Sequence, residues 1–208
     1  FDPEEYRELS DEERDFLAKG YAKALEALEK NITAKGFTAC SLQDNRSYGT
    51  DENYRAIWAR DGAMTVIWTL GAEEQDICEC QKSTLTTLLD HQSSAGQIPC
   101  YVGIDNNEPE YAGVGGISSI DAGLWVMIAL WHYSRITGDW SMVEERAGQL
   151  QRTMDWLGAH DSNNCGLLEI PEAGDWTDLF ARSYHVLYDE VLWYRALVCY
   201  GRILRHIG

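Results

Sequence analysis

Apolar residues recur along the chain in two alternating textures. Between Ser10 and Ile32, Leu17, Tyr21, Ala24, Leu28 and Ile32 follow one another at steps of three and four, with Ser10 and Glu13 in capping-box register. That spacing predicts an amphipathic helix with one wet face. Val143, Ala147, Leu150, Met154 and Leu157 repeat it between Trp140 and Ala159, and Ile77, Cys80, Leu85, Leu88 and Leu89 give a looser version between Glu73 and His91. Three other segments are apolar nearly all round: Ala63 to Leu70, Leu124 to Trp131 and Val191 to Tyr200. Helices of that kind are expected to be buried on most sides. Wet-faced and dry segments alternate three times, which predicts an all-α fold of three helical hairpins with an outer and an inner layer.

The segments leading into the dry helices carry polar and aromatic clusters: YRAIWARDG, GVGGISSIDAG and GDWTDLFARSYH. Their markers Asp61, Asp121 and Asp178 recur at intervals of roughly 60 residues, as in a repeat architecture. If the dry helices run parallel, their N-terminal ends share one face and the three clusters converge on one site, where positive helix ends favour carboxylates. Two long loops, Ser93 to Ile117 and His160 to His185, are expected to be binding loops. Within them QIPCYVGI and LLEIP read as short strands.

Composition narrows the partners. Acidic residues outnumber basic ones by 34 to 17 over 208 residues, and a net charge of −17 argues against nucleic acid and for a neutral or cationic ligand. No apolar run reaches the roughly 18 residues of a membrane span, and the acidic start lacks the pattern of a secretory signal, so no membrane partner is expected. The six cysteines show no C-x-x-C pair, which favours reduced thiols and a cytoplasmic location. No P-loop, G-x-S-x-G or H-E-x-x-H is present, and the five histidines lack ligand spacing. No cofactor or metal is expected.

The chemistry-bearing residues are carboxylates beside aromatic rings. From Gly174 to Leu197, Asp175, Asp178, Asp189 and Glu190 lie among Trp176, Phe180, Tyr184, Tyr188, Trp193 and Tyr194. Asp178 is either a helix-capping carboxylate or a general acid whose pKa is raised where rings such as Trp176 exclude water. Arg60 and Asp61, next to Trp58, either serve the helix start or hold sugar hydroxyls beneath an indole that covers the apolar ring face. Asp121 either closes a capping box with Ser118 or plays the part of Asp61 in its own unit. Glu190 either binds a hydroxyl or pairs with Arg195.

In order along the chain, YRAIWARDGAMTVIWTL, GISSIDAGLWVMIALWHYSRITGDWSMVEER and DWTDLF…VLYDEVLWYRAL resemble the signature blocks of the alkaline/neutral invertases and, more distantly, of amylo-α-1,6-glucosidase, the debranching glycosidase. The resemblance runs from about Tyr54 to Leu197. It implies an (α/α)6 toroid glycoside hydrolase that inverts its substrate, one carboxylic acid protonating the leaving oxygen while a second carboxylate activates water. It further implies that Asp178 is the general acid, that Arg60, Asp61 and Asp121 line a sugar subsite, and that the substrate is an α-glucoside such as sucrose or an oligosaccharide; from their own chemistry Trp58, Trp176 and Glu190 are expected beside that subsite. The invertases carry two arginines directly after the acid; here Leu179 and Phe180 follow it, which departs from a sucrose-specific pattern. The family's base is a glutamate in a later hairpin, so residues 1–208 are expected to be the N-terminal half of the catalytic domain, completed by the rest of the enzyme or by another subunit. The alternative is a non-catalytic carbohydrate-binding or scaffold half-barrel.

Overall fold

The computed structural model describes residues 8–42, 54–177 and 179–208. Seven helices dominate them: α1 (Asp11–Glu29), α2 (Ala59–Thr69), α3 (Gln75–Asp90), α4 (Asp121–Thr137), α5 (Ser141–Glu145), α6 (Ala147–Gly158) and α7 (Leu187–Ile207). None of the described helices is long and apolar enough to cross a membrane.

The three dry segments form α2, α4 and α7, which lie side by side with α4 in the middle. Side-chain bonds fix their relative direction. Tyr188 and Arg195 of α7 meet Asp121 and His132 of α4 in the same order along both helices, so the two run parallel. Arg60 at the head of α2 meets Asp121 at the head of α4. The wet-faced helices pack behind and run the other way: Gln81 of α3 reaches the Thr69 carbonyl while Thr84 faces Gly62, and Thr153 and Leu157 of α6 face Gly123. Both contacts are made at a glycine. A Cβ on Gly62 would sit 2.8 Å from Thr84 Cγ2, so something would have to shift, and one on Gly123 would sit 3.3 Å from Thr153 Cγ2, which would have to give by a few tenths of an ångström.

Burial grades across the row. Along α4, Leu124, Val126, Met127, Ala129 and Leu130 are all buried, as the unbroken apolar run predicts. By contrast α2 leaves Trp68 82% exposed and α7 leaves Tyr194 71% exposed, because each has a helical neighbour on one side of the row and none of the described helices on the other. The expectation of burial on most sides therefore holds for α4 and fails for its two flanking helices.

Two further expectations need correction. The predicted α1 forms with its capping box, Ser10 Oγ accepting from Glu13 N–H and Glu13 Oε2 accepting from Ser10 N–H at 2.8 Å. Its stripe reaches the core only at its C-terminal end: no α1 residue is buried, and of the stripe only Leu28 and, past the helix end, Ile32 pack against the core, with Leu25 beside them. The helix is anchored at its C-terminal end by the hairpin of β1 (Ile32–Thr33) and β2 (Gly36–Phe37), which sits on α3 through a Phe37 N–H bond to Thr84 Oγ1 at 2.9 Å. The Trp140–Ala159 segment is two helices, broken where Arg146 adopts φ −113°, ψ 17°.

Strands gather near the head of α2. β3 (Ala56–Trp58), β4 (Tyr101–Gly103) and β5 (Pro109–Glu110) form an antiparallel sheet in which Trp58 stands opposite Tyr101. β4 falls within QIPCYVGI as expected, whereas β3 occupies part of a segment read as a loop. LLEIP contributes a single bridge, Ile170 to Tyr184.

Candidate functional site

The head of α4 is where the chain brings its chemistry together. Both long loops end there: Ser119 N–H donates to the Tyr111 carbonyl at 3.1 Å, and Ile120 N–H donates to the Gly174 carbonyl at 3.0 Å. Between these ties sits Asp121, wholly buried. Its Oδ2 accepts from Arg60 Nη1 at 2.7 Å and from the Tyr188 hydroxyl at 3.0 Å, and its Oδ1 accepts from Ser119 Oγ at 2.9 Å. Trp125 Nε1 donates to the Tyr188 oxygen at 2.8 Å. Residues more than sixty positions apart thus share one network across α2, α4 and α7. The capping-box reading of Asp121 fails, since the N-cap is Ile120 without a side-chain cap and the carboxylate is used elsewhere.

Arg60 is pulled two ways. Burial works against its charge, but the Asp121 carboxylate outweighs burial and holds its pKa above the ordinary arginine value, with Asp61 adding to the effect. Burial first, and then the Asp121 charge, push the Tyr188 phenol up, so it remains a hydrogen-bond donor. Asp61 lies in the first turn of α2, half-buried and within electrostatic reach of Arg60. Trp58 is the N-cap of α2 and stacks on Tyr101 with centroids 4.6 Å apart.

A second carboxylate network lies beside the first. Asp175 is 4% exposed and accepts from Thr177 N–H at 2.8 Å, from the Thr177 hydroxyl and from Arg182, which forms an ion pair with it. Burial raises its pKa, but these donors more than offset that and leave it below the ordinary value. Trp176 stands half out of the surface, with Arg182 5.9 Å from its ring centroid and Tyr188 edge-on at 6.3 Å. An exposed indole bracketed by charged and hydroxyl groups suits the apolar face of a sugar.

The residue that sequence reasoning left without a role is Asp189. It is wholly buried, and neither carboxylate oxygen has a hydrogen-bond partner among the described residues. Burial, and then the nearby charges of Asp121 and Asp175, push its pKa up to about 8, against a smaller opposing effect from Arg182. Asp189 is therefore a carboxylic acid, proton in place, at neutral pH. A signal for it was present: stepping the buried positions of α7 (Trp193, Ala196, Tyr200, Ile203) back by one turn lands on 189.

Glu190, one residue on, serves a different place. Its Oε1 accepts from Leu168 N–H at 3.0 Å and lies 3.6 Å from His185 Nδ1, fastening the second long loop to α7. Its expected partner Arg195 instead donates to His132 Nε2 at 2.9 Å. Asp178, the expected general acid, lies outside the described residues. Among the described residues no group of three His, Cys, Asp or Glu side chains is placed to hold a metal ion.

No protein-family model matches the chain, and no curated protein sequence matches it. The site must be read from its own residues.

Proposed function

We propose that the chain carries the substrate-binding head of an inverting glycoside hydrolase that cleaves an α-glucosidic bond, built on part of an (α/α)6 toroid. What supports the reading above all is the meeting of Asp121, Asp175 and Asp189 with Arg60, Tyr188 and the exposed Trp176 at the heads of parallel helices. Such a surface offers charged and hydroxyl groups for sugar hydroxyls and an indole for the ring face. Trp58 and Asp61 complete the proposed surroundings of the sugar, while Glu190 holds the second long loop in place.

Within this reading Asp178, assigned on the resemblance to invertases and debranching glucosidases, protonates the leaving oxygen, and a second carboxylate activates water on the opposite face. Asp189 stays buried beside Asp121 and Asp175, holding its proton, and does not itself touch the sugar. Acid and base carboxyl groups alone perform the reaction, so no cofactor enters it. The location proposed is cytoplasmic, and the partner a carbohydrate.

The complete enzyme bearing Asp178→Asn, assayed on sucrose and maltooligosaccharides, is expected to lose on the order of a thousandfold or more in turnover. Released glucose from the parent enzyme is expected in the β configuration by NMR at early times. Near-normal turnover in the variant refutes the assignment of Asp178. Calorimetric heat with sugars but no product from the parent enzyme would instead favour a binding module.

A further inference from the structure

The far end of α4 and α7 gathers positive charge in a protein of net charge −17. Arg135 stands in the last turn of α4, Arg205 in the last turn of α7, and Arg195 and Arg202 lie further back along α7. Trp131 lies between them, with the Arg202 guanidinium 5.5 Å from its ring centroid. Fourteen residues of helix separate Asp121 from Arg135, which at 1.5 Å per residue is about 20 Å, so this cluster is distinct from the site at the helix heads.

The arginines here differ from most of the others, although Arg152 too bonds to Gln92 rather than to a carboxylate. Arg14, Arg55, Arg60, Arg146 and Arg182 each form an ion pair with an aspartate. None of Arg135, Arg195, Arg202 and Arg205 pairs with an Asp or Glu among the described residues; Arg195 donates to His132 and Arg205 Nε to the Gly201 carbonyl. Nearby carboxylates are engaged elsewhere, Asp139 with Lys82 and Ser141, and Glu144 with His206.

Helix ends alone do not account for the cluster. Each helix C-terminus carries about half a negative charge, so two of them offset roughly one positive charge of the four. The remaining charge is felt locally: burial first, and then Arg195, Arg135 and Arg202, lower the His132 pKa and keep its imidazole neutral, fit to accept from Arg195.

We propose that the depression of about 460 Å³ lined by Trp131, Arg135, Arg202 and Arg205 is a phosphate-binding site, taking either orthophosphate or the phosphate of a phosphomonoester. Three arginines from two helices line it, a set of donors suited to a tetrahedral dianion. A phosphomonoester carries a charge of about −1.5 to −2 at neutral pH, near the roughly two positive charges that the helix ends leave on the three arginines lining the depression. The site does not depend on the glycosidase reading, and failure of hydrolysis leaves it untouched.

Isothermal titration of the whole chain with orthophosphate and with glucose 6-phosphate, against chloride at equal ionic strength, tests it. Phosphate-specific heat is expected, weakened about tenfold in Arg135→Gln and again in Arg205→Gln. Both side chains are exposed and the Arg202–Trp131 contact survives their loss, so folding is retained; circular dichroism checks this. Asp178→Asn is expected to keep the same phosphate affinity. Tighter binding of the ester than of orthophosphate assigns the site to a phosphomonoester, and equal or weaker binding assigns it to free phosphate. Absence of heat beyond that with chloride, or affinity unchanged in both arginine variants, overturns the proposal.

Discussion

Replacing Asp189 by asparagine is expected to stabilise the protein at neutral pH, by an amount that grows as the pH rises. The side chain is wholly buried, its two oxygens find no donor among the described residues, and its pKa stands at about 8 against an ordinary 3.8. Two arginines, Arg60 and Arg182, face three aspartates, so the third stays neutral by keeping its proton. Below pH 3.8 both the folded and the unfolded chain hold that proton, and the group carries no pH-linked penalty. Between 3.8 and about 8 the unfolded chain has released it while the folded protein has not, so stability falls with rising pH by about 1.4 kcal/mol per pH unit. At pH 7 the accumulated cost is about 4 kcal/mol. The amide of asparagine is neutral throughout, but its N–H groups enter the same dry spot at a cost of about 1–3 kcal/mol, leaving a net gain of about 1–3 kcal/mol. The gap between variant and parent is expected to widen by about 3 kcal/mol from about pH 5.5 to about pH 8. Urea unfolding at several pH values and constant salt measures it. Parallel stability profiles, or a variant that weakens relative to the parent as pH rises, would show that Asp189 is ionised in the folded protein.

Removing the counter-charge has the opposite sign. Arg60→Gln strands a carboxylate whose side chain is 1% exposed and is expected to cost about 3–5 kcal/mol by the same denaturation; a loss under about 1 kcal/mol would mean that solvent screens the pair. Tyr188→Phe takes a donor from Asp121 and an acceptor from Trp125, for an expected loss of about 1–3 kcal/mol, read as a thermal midpoint lowered by several degrees. Gly62→Ala places a methyl 2.8 Å from Thr84 Cγ2 and is expected to cost about 1–3 kcal/mol; because serine lacks that carbon, Thr84→Ser in the same chain should recover part of it, and no recovery would locate the strain elsewhere.

How far the sequence can be read depends on which forces act locally. The alternation of apolar textures gave the inner row and the outer helices, since burial imposes a period on every helix it touches. It overstated the burial of α2 and α7, because an apolar helix looks the same in sequence whether it sits inside a row or at its edge; Tyr194 and Trp68 are exposed by position. The α1 stripe misled for a related reason: period announces a face and says nothing of what covers it. β3 was missed because three residues, Ala56 to Trp58, are too few to show alternation and owe their extended form to pairing with β4, a partner more than forty positions away.

The acids divide along the same line. Asp121 was legible as a member of a spaced set, yet its role came from partners on two other helices that no local pattern announces. Asp189 and Glu190 are equivalent in composition and differ by one position, about 100° around a helix. That rotation turns Asp189 onto the face of Leu192, Trp193 and Ala196, into a dry interior where it must hold a proton, and turns Glu190 toward Leu168 and His185, where a backbone donor meets it. Where two acids adjoin at the start of an apolar helix, the phase of the buried positions that follow decides which one enters the core. The dry interior then sets the protonation state of that acid.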